Sequence, residues 1–143
     1  MIIIDISSFF GRFHPMIVHL PIGFIILALI SEIRFFKLLK KSSLKQGSIF
    51  NQKNIWFLSF ITSAFSAFLG WLLTQDGHYI ESQIVFHQWS GILLVVLSGI
   101  GWILRKDYFI FPKAFIGINN LLTLILLVFV GHYGSILTHG ELI

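Results

Sequence analysis

Four hydrophobic segments, each near the length needed to cross a bilayer, constrain the fold of this chain more than any other feature. A transmembrane helix needs roughly 20 apolar residues. Only 11% of the residues are charged, against about 25% in a soluble domain. We therefore predict an all-α integral membrane protein, with its 143 residues forming one four-span domain. The predicted spans are Phe13–Leu38, Ile55–Leu73, Ile84–Leu104 and Ala114–Leu137.

The basic residues predict the orientation of these spans. Ten residues are Lys or Arg, and all except Arg12 flank the two connections that follow spans one and three. Cytoplasmic loops are enriched in Lys and Arg. We therefore predict an up-down bundle in a bacterial inner (cytoplasmic) membrane, with both termini outside. The net charge of +4 is then a topology signal and does not indicate nucleic-acid binding. No basic region precedes the first apolar stretch, so we expect no removable signal peptide.

The histidines are all placed at the ends of spans that this topology puts on the periplasmic face. Helices that alternate in direction bring the start of one span near the end of the next. Histidines that are scattered along the sequence are thereby gathered in space, as a metal or haem site requires. The six are His14 and His19 in span one, His78 after span two, His87 in span three, and His132 and His139 in span four.

Three of these histidines are predicted to lie at similar depths in the membrane. At 1.5 Å of rise per residue, His19 is roughly 9 Å inside its span, His87 roughly 4–5 Å, and His132 roughly 7–8 Å. Ionisable residues inside a membrane are functional candidates by default. The structural alternative is that each ring hydrogen-bonds to a neighbouring helix. Gly23 and Gly91 lie four residues after His19 and His87, which leaves room for a flat macrocycle or for a close helix contact.

Two further patterns concern the backbone of spans one and two. Pro15 lies at a helix start, whereas Pro21 removes a hydrogen bond inside span one, so we expect a loosened turn around His19. Span two carries a strip of small residues at helical spacing, which allows a neighbouring helix to approach closely. The strip is Ser59, Ser63, Ala67 and Gly70.

Four strings in the chain resemble an uncharacterised family of predicted four-helix membrane proteins, often fused to or encoded beside planctomycete-type c-type cytochrome domains. The strings are FHPMIVHLPIGF in span one, GW at Gly70–Trp71, HQWSGI from His87, and GHYGSILTHGE from Gly131. The resemblance covers nearly the whole chain and places the family's pattern histidines on His14, His19, His87, His132 and His139. The chain departs from the family's pattern at Ser135, where a second glycine is usual. The family's association with cytochromes implies electron transfer near the periplasmic face.

These observations lead to a b-type cytochrome-like module of a respiratory chain. Cysteine is absent, which excludes covalent c-type haem and thiolate metal sites. We expect one haem b or two, held by an axial pair drawn from His19, His87 and His132, with His14 and His139 as further cofactor-binding residues. Electrons would pass from a membrane donor such as quinol to a periplasmic c-type cytochrome.

Two other functions remain open from the sequence. One is a cofactor-free structural subunit of a larger membrane complex, and the other is a Cu or Zn site, because imidazole binds both metals. No nucleophile–base pair or pair of carboxylates occurs at a useful spacing, so an electron-transfer subunit that contacts lipid and partner subunits is favoured over a stand-alone enzyme.

Overall fold

The computed structural model describes residues 6–40, 46–74, 81–106 and 112–139, with side chains described in residues 9–33, 52–74, 84–106 and 112–138. All of the secondary structure in these residues is helical, and four helices are long and apolar enough to cross a membrane. The prediction of an all-α four-span membrane protein is confirmed. The helices are α1 (Ile6–Gly11), α2 (His14–Ile17), α3 (His19–Lys40), α4 (Gln46–Leu73), α5 (Glu81–Lys106) and α6 (Lys113–His139).

The membrane-crossing segments differ slightly from the predicted spans. They are Phe9–Ile33, Gln52–Leu73, Ile84–Lys106 and Lys113–Thr138. The first segment begins four residues before the predicted Phe13, because α1 continues the apolar stretch. Gly11 of α1 lies against the end of α4, where a β-carbon on Gly11 would come 2.5 Å from the backbone nitrogen of Leu73. Only a glycine permits this close approach.

Span one contains the loosened turn that its prolines predict. Pro15 occupies the first turn of α2, where its missing N–H costs nothing. α2 ends at Ile17, and α3 begins at His19. The Val18 amide closes α2 by donating to the His14 carbonyl at 3.0 Å. His14 therefore begins α2 and His19 begins α3, so the two histidines do not lie on one regular helix.

The four spanning helices pack mainly on their sequence neighbours, in the order α3–α4–α5–α6. A small apolar core of Ile25, Leu94 and Leu127 joins α3, α5 and α6. Most other large apolar side chains are exposed, as expected for a surface that faces lipid rather than water.

The interior face of α4 is unusually polar. Its buried residues follow a spacing of four, three, four and three, which places them on one face of the helix. We call this row the α4 polar file: Gln52, Trp56, Ser59, Ser63 and Ser66. Of the small-residue strip predicted for span two, Ser59 and Ser63 are buried, and Ala67 and Gly70 are half-buried. Ser66, next to Ala67, is the buried residue at that level of the helix. Gly70 continues the same row by one turn.

Candidate functional site

Two histidines face each other at one end of the bundle. His14 lies in α2 and His87 lies near the start of α5, and both are half-buried. Their ring centroids are 6.1 Å apart, and the ring planes are inclined by 76°. We call them the histidine pair. The sequence separation of 73 residues is bridged because α2 and α5 both pack on the last turns of α4.

The ring of His14 is oriented by α4. Its Nδ1 lies 2.9 Å from the Ser66 carbonyl oxygen and 3.4 Å from the Ser66 hydroxyl. Because a carbonyl only accepts, Nδ1 carries the hydrogen and donates it, which leaves Nε2 with a free lone pair. Metal-binding histidines typically donate their other ring N–H to a backbone carbonyl or carboxylate in this way. The His14 ring is therefore held in the tautomer that a metal ligand needs.

The ring of His87 is held less completely. Its Nδ1 is buried and has no hydrogen bond of ordinary distance and angle, and the backbone of Val130 on α6 offers only a weaker interaction. A buried polar atom without a good partner is costly in a native structure and usually indicates a bound group, a water or a functional constraint.

Glycines make room for both rings. A β-carbon at Gly70 would lie 3.0 Å from Cε1 of His14, and one at Gly134 would lie 3.1 Å from Cε1 of His87. Either substitution would push the ring that it faces. At Gly23 and Gly91, a β-carbon would have no neighbour within 4 Å in the described residues. The close helix contact, one of the two alternatives for these glycines, is therefore not present there, and the space for a macrocycle stays a prediction. The histidine–glycine contacts that the structure shows occur between helices.

The other predicted ligands lie apart from this pair. His19 is exposed, and its Nδ1 donates to the Met16 carbonyl of the preceding turn at 3.2 Å. His132 is also exposed, and its ring contacts Tyr133 with centroids 5.8 Å apart. His139 is the last residue of α6 with its side chain outside the described part, and His78 lies outside it altogether. The structure thus brings together His14 and His87, and does not bring His19 or His132 to them.

The comparison with known families can now be stated. A family model described as a predicted membrane protein (DUF2231) matches residues 12–140. The chain belongs to this family. The matched range contains both members of the histidine pair and the four membrane-crossing segments except for Phe9–Gly11, which agrees with the family's description. No curated protein and no solved structure matches the chain significantly.

A second polar centre, at the opposite end of the bundle, was missed by the sequence reasoning. Arg105 is one of the nine basic residues that flank the connections after spans one and three. It is fully buried, and its Nε donates to Oε2 of Glu32 at 2.7 Å. Its other nitrogens donate to the Gly101 carbonyl and to Oδ1 of Asn120, each at 2.7 Å, and its guanidinium carbon lies 4.3 Å from the Trp56 ring centroid. We call these five residues the arginine cluster. The signal that would have found it is Glu32, a carboxylate inside a hydrophobic segment.

An apolar groove lies beside the histidine pair. It has a volume of about 190 Å³ and is lined by Phe10, Phe13, Ile17, Phe65 and Leu69. Phe13 immediately precedes α2 and Ile17 is its last residue, so the groove lies along the helix that carries His14. Within the described residues, no group of three or more His, Cys, Asp or Glu side chains is arranged to hold a metal ion.

Proposed function

We propose that this protein is a membrane electron-transfer module that holds haem b between His14 and His87. The observation that carries the proposal is the separation of the two rings. Imidazoles from two different helices lie with their ring centroids 6.1 Å apart, so His14 and His87 would be the two residues that hold the haem iron.

The surroundings of the pair support haem binding by these two histidines. Ser66 fixes the His14 tautomer with Nε2 free, and Gly70 and Gly134 keep side chains away from both rings. Two imidazoles from different helices are a recognised way to hold haem iron without a covalent link, as a chain without cysteine requires. Bound haem would supply a one-electron redox centre, and the histidines would fix its position and exclude other ligands.

The position of the pair at a membrane face suggests the route of electrons. The adjacent apolar groove favours a lipid-soluble donor such as a quinol, because every residue lining the groove is apolar. The acceptor that we propose is a c-type cytochrome on the periplasmic side, in line with the orientation predicted from the basic residues. We further propose that the module works as a subunit of a respiratory complex of the inner membrane.

The test is an absorption spectrum of protein purified in mild detergent, with and without dithionite, followed by acid–acetone extraction. We expect a sharp reduced band and extractable haem. His14→Ala and His87→Ala should each lose the haem, whereas His78→Ala, the matched control, should keep it.

The same variants decide between two ligand sets. If His19→Ala and His132→Ala lose the haem while His14→Ala keeps it, the ligand set predicted from the sequence stands, and the histidine pair is not the site. A colourless protein that contains no metal would contradict haem binding and favour a structural subunit.

A bare copper ion is the second candidate, and the number of histidines in the pair favours it over zinc. Zinc sites take three or four protein ligands, and the described residues contain no such group. The pair supplies two imidazoles, and imidazole binds copper well. Elemental analysis of the purified protein separates the two: one copper per chain without haem would select copper, and iron that is present only as extractable haem would exclude it.

A further inference from the structure

The interior of the bundle contains buried polar atoms that take no part in the contacts of the histidine pair or of the arginine cluster. Among the described residues, buried side-chain atoms without a hydrogen-bond partner occur on three helices. Apart from His87, they are Gln52 Oε1, Trp56 Nε1 and Ser63 Oγ on α4, Ser98 Oγ on α5, and both amide atoms of Asn119 on α6. Each of these side chains is at most 4% exposed.

The serines of α4 show that this is not a general property of the helix. Ser59 donates its hydroxyl to the Ile55 carbonyl of its own helix at 2.9 Å, which is the usual way for a helical serine to satisfy itself. Ser63, one turn later, does not make this bond. Its hydroxyl oxygen is buried in the interior of the bundle without a hydrogen-bond partner.

Water is the ligand that such a set of atoms fits. Buried polar groups in native proteins are nearly always paired with protein or with ordered water. An internal water makes two to four hydrogen bonds to such groups, and donors and acceptors are both present here. A bilayer interior offers no other partner, because lipid chains cannot form hydrogen bonds.

The unpaired atoms of α4 belong to Gln52, Trp56 and Ser63, which lie on one face of the helix in the α4 polar file. The α4 polar file runs from Gln52 to Ser66, which is roughly 21 Å at 1.5 Å per residue. Its first residue donates from Nε2 to the Ser31 hydroxyl at 2.9 Å, near the arginine cluster. Its last residue contacts His14. The file therefore joins the two polar ends of the bundle.

We propose that the α4 polar file binds a chain of internal waters and provides a proton route through the bundle. In each transfer, one O–H bond breaks and the next one forms, so one proton enters at one end for each that leaves at the other, and the chain of waters is restored. The driving force is the electrochemical gradient of protons across the membrane, which a pH difference or a membrane potential can supply. The proposal does not depend on a cofactor, because the file exists whether or not the histidine pair holds haem.

Thiol labelling tests whether water reaches the file, and the chain offers a clean background because it has no cysteine. Ser63→Cys and Ser98→Cys are compared with Ile61→Cys, whose side chain is 45% exposed on the lipid-facing surface of α4. The probe is 2-aminoethyl methanethiosulfonate. A thiolate, which forms only where water is present, attacks the reagent to give a mixed disulfide and release methanesulfinate.

We expect labelling at Ser63→Cys and Ser98→Cys and none at Ile61→Cys. If Ser63→Cys fails to fold, Ser98→Cys provides the test from the neighbouring helix. Labelling at Ser63→Cys and Ser98→Cys that is no faster than at Ile61→Cys would overturn the proposal.

Proton flux tests the route itself. The purified protein is reconstituted in vesicles that contain a pH-sensitive dye, and a potassium gradient with valinomycin drives proton movement. Ser63→Val should reduce the flux to that of protein-free vesicles. Thr62→Val should not change it, because the Thr62 hydroxyl is satisfied by the Leu58 carbonyl at 2.7 Å.

Flux that is equal in the parent and in Ser63→Val would overturn the route. Both measurements can be made on haem-free protein, so their outcome is separate from that of the haem experiment.

Discussion

The two polar ends of the bundle differ in how completely their groups are paired. In the arginine cluster, a buried charge meets an opposite charge, two oxygen acceptors and an aromatic face. In the histidine pair, one ring has a good carbonyl partner, and the other has a buried nitrogen without one. The two lie roughly 27 Å apart along α5, counted from His87 to Arg105.

This difference separates a group that holds the fold from a group that is available for chemistry. A buried arginine inside a membrane is tolerated only when it is fully paired, and the cluster joins α3, α4, α5 and α6 through that pairing. In the histidine pair, Nδ1 of His87 has no good partner and Nε2 of His14 keeps its lone pair. A glycine lies against each ring. We therefore expect substitutions in the arginine cluster to change stability, and substitutions in the histidine pair to change cofactor binding.

The largest effect on stability should come from breaking the buried ion pair. Glu32→Ala leaves the Arg105 charge buried without its carboxylate, and we expect it to lower the free energy of unfolding by about 3–5 kcal/mol. The measurement is thermal or SDS-induced unfolding in detergent. The double variant Glu32→Leu/Arg105→Met removes both charges and should recover most of the loss. A loss in the double variant as large as in the single one would mean that packing, not charge, stabilises this end.

A smaller effect should come from the glycine beneath the arginine cluster. A β-carbon at Gly101 would overlap the Trp56 ring, so Gly101→Ala should lower the free energy of unfolding by about 1–3 kcal/mol through overpacking. Gly23→Ala is the matched control. It has open space around it and should stabilise the helix by about 0.5–1 kcal/mol. Effects of the same sign for both variants would contradict the packing difference between the two positions.

These two ends also show what the sequence could and could not predict. Segment length and hydrophobicity predicted the four helices, because the hydrophobicity of a segment largely determines whether it crosses a bilayer. Pro21 predicted the loosened turn around His19, because the missing N–H is a local property. Both are features that a single segment carries by itself.

Which histidines meet could not be predicted, because depth along a helix does not give the direction of a side chain. His19 and His132 reach similar predicted depths but are exposed, whereas the shallower His14 turns onto α4 at Ser66 and Gly70. Arg105 was counted as a loop residue for a related reason. Its partner, Glu32, is 73 residues away, and only the packing of α3 on its neighbours brings the two together.

The third prediction concerns the histidine pair. His87→Leu replaces a ring that has an unpaired buried nitrogen by an apolar side chain, so the free energy of unfolding should stay within about 1 kcal/mol of the haem-free parent. The haem-free parent is the reference because a ligand that binds the folded protein adds its own stabilisation. The same variant should lose the haem. The reduced absorption spectrum is measured on protein purified with haem, and unfolding in detergent is measured on both haem-free proteins. A stability loss comparable to that of Glu32→Ala would show that His87 holds the fold in the way that Arg105 does.

The last prediction, with no expected effect on stability, concerns which end faces the periplasm. Lys106 is exposed at the arginine end and Thr138 is exposed at the histidine end, and substitutions at exposed positions usually change stability by at most about 0.5 kcal/mol. In intact cells, a membrane-impermeant thiol reagent should label Thr138→Cys and leave Lys106→Cys unlabelled until the membrane is opened. The reason is the placement of nine of the ten basic residues on the Lys106 side. The reverse pattern would place the histidine pair at the cytoplasmic face, where a periplasmic cytochrome cannot reach it, and the proposed acceptor would have to be abandoned even if haem is bound.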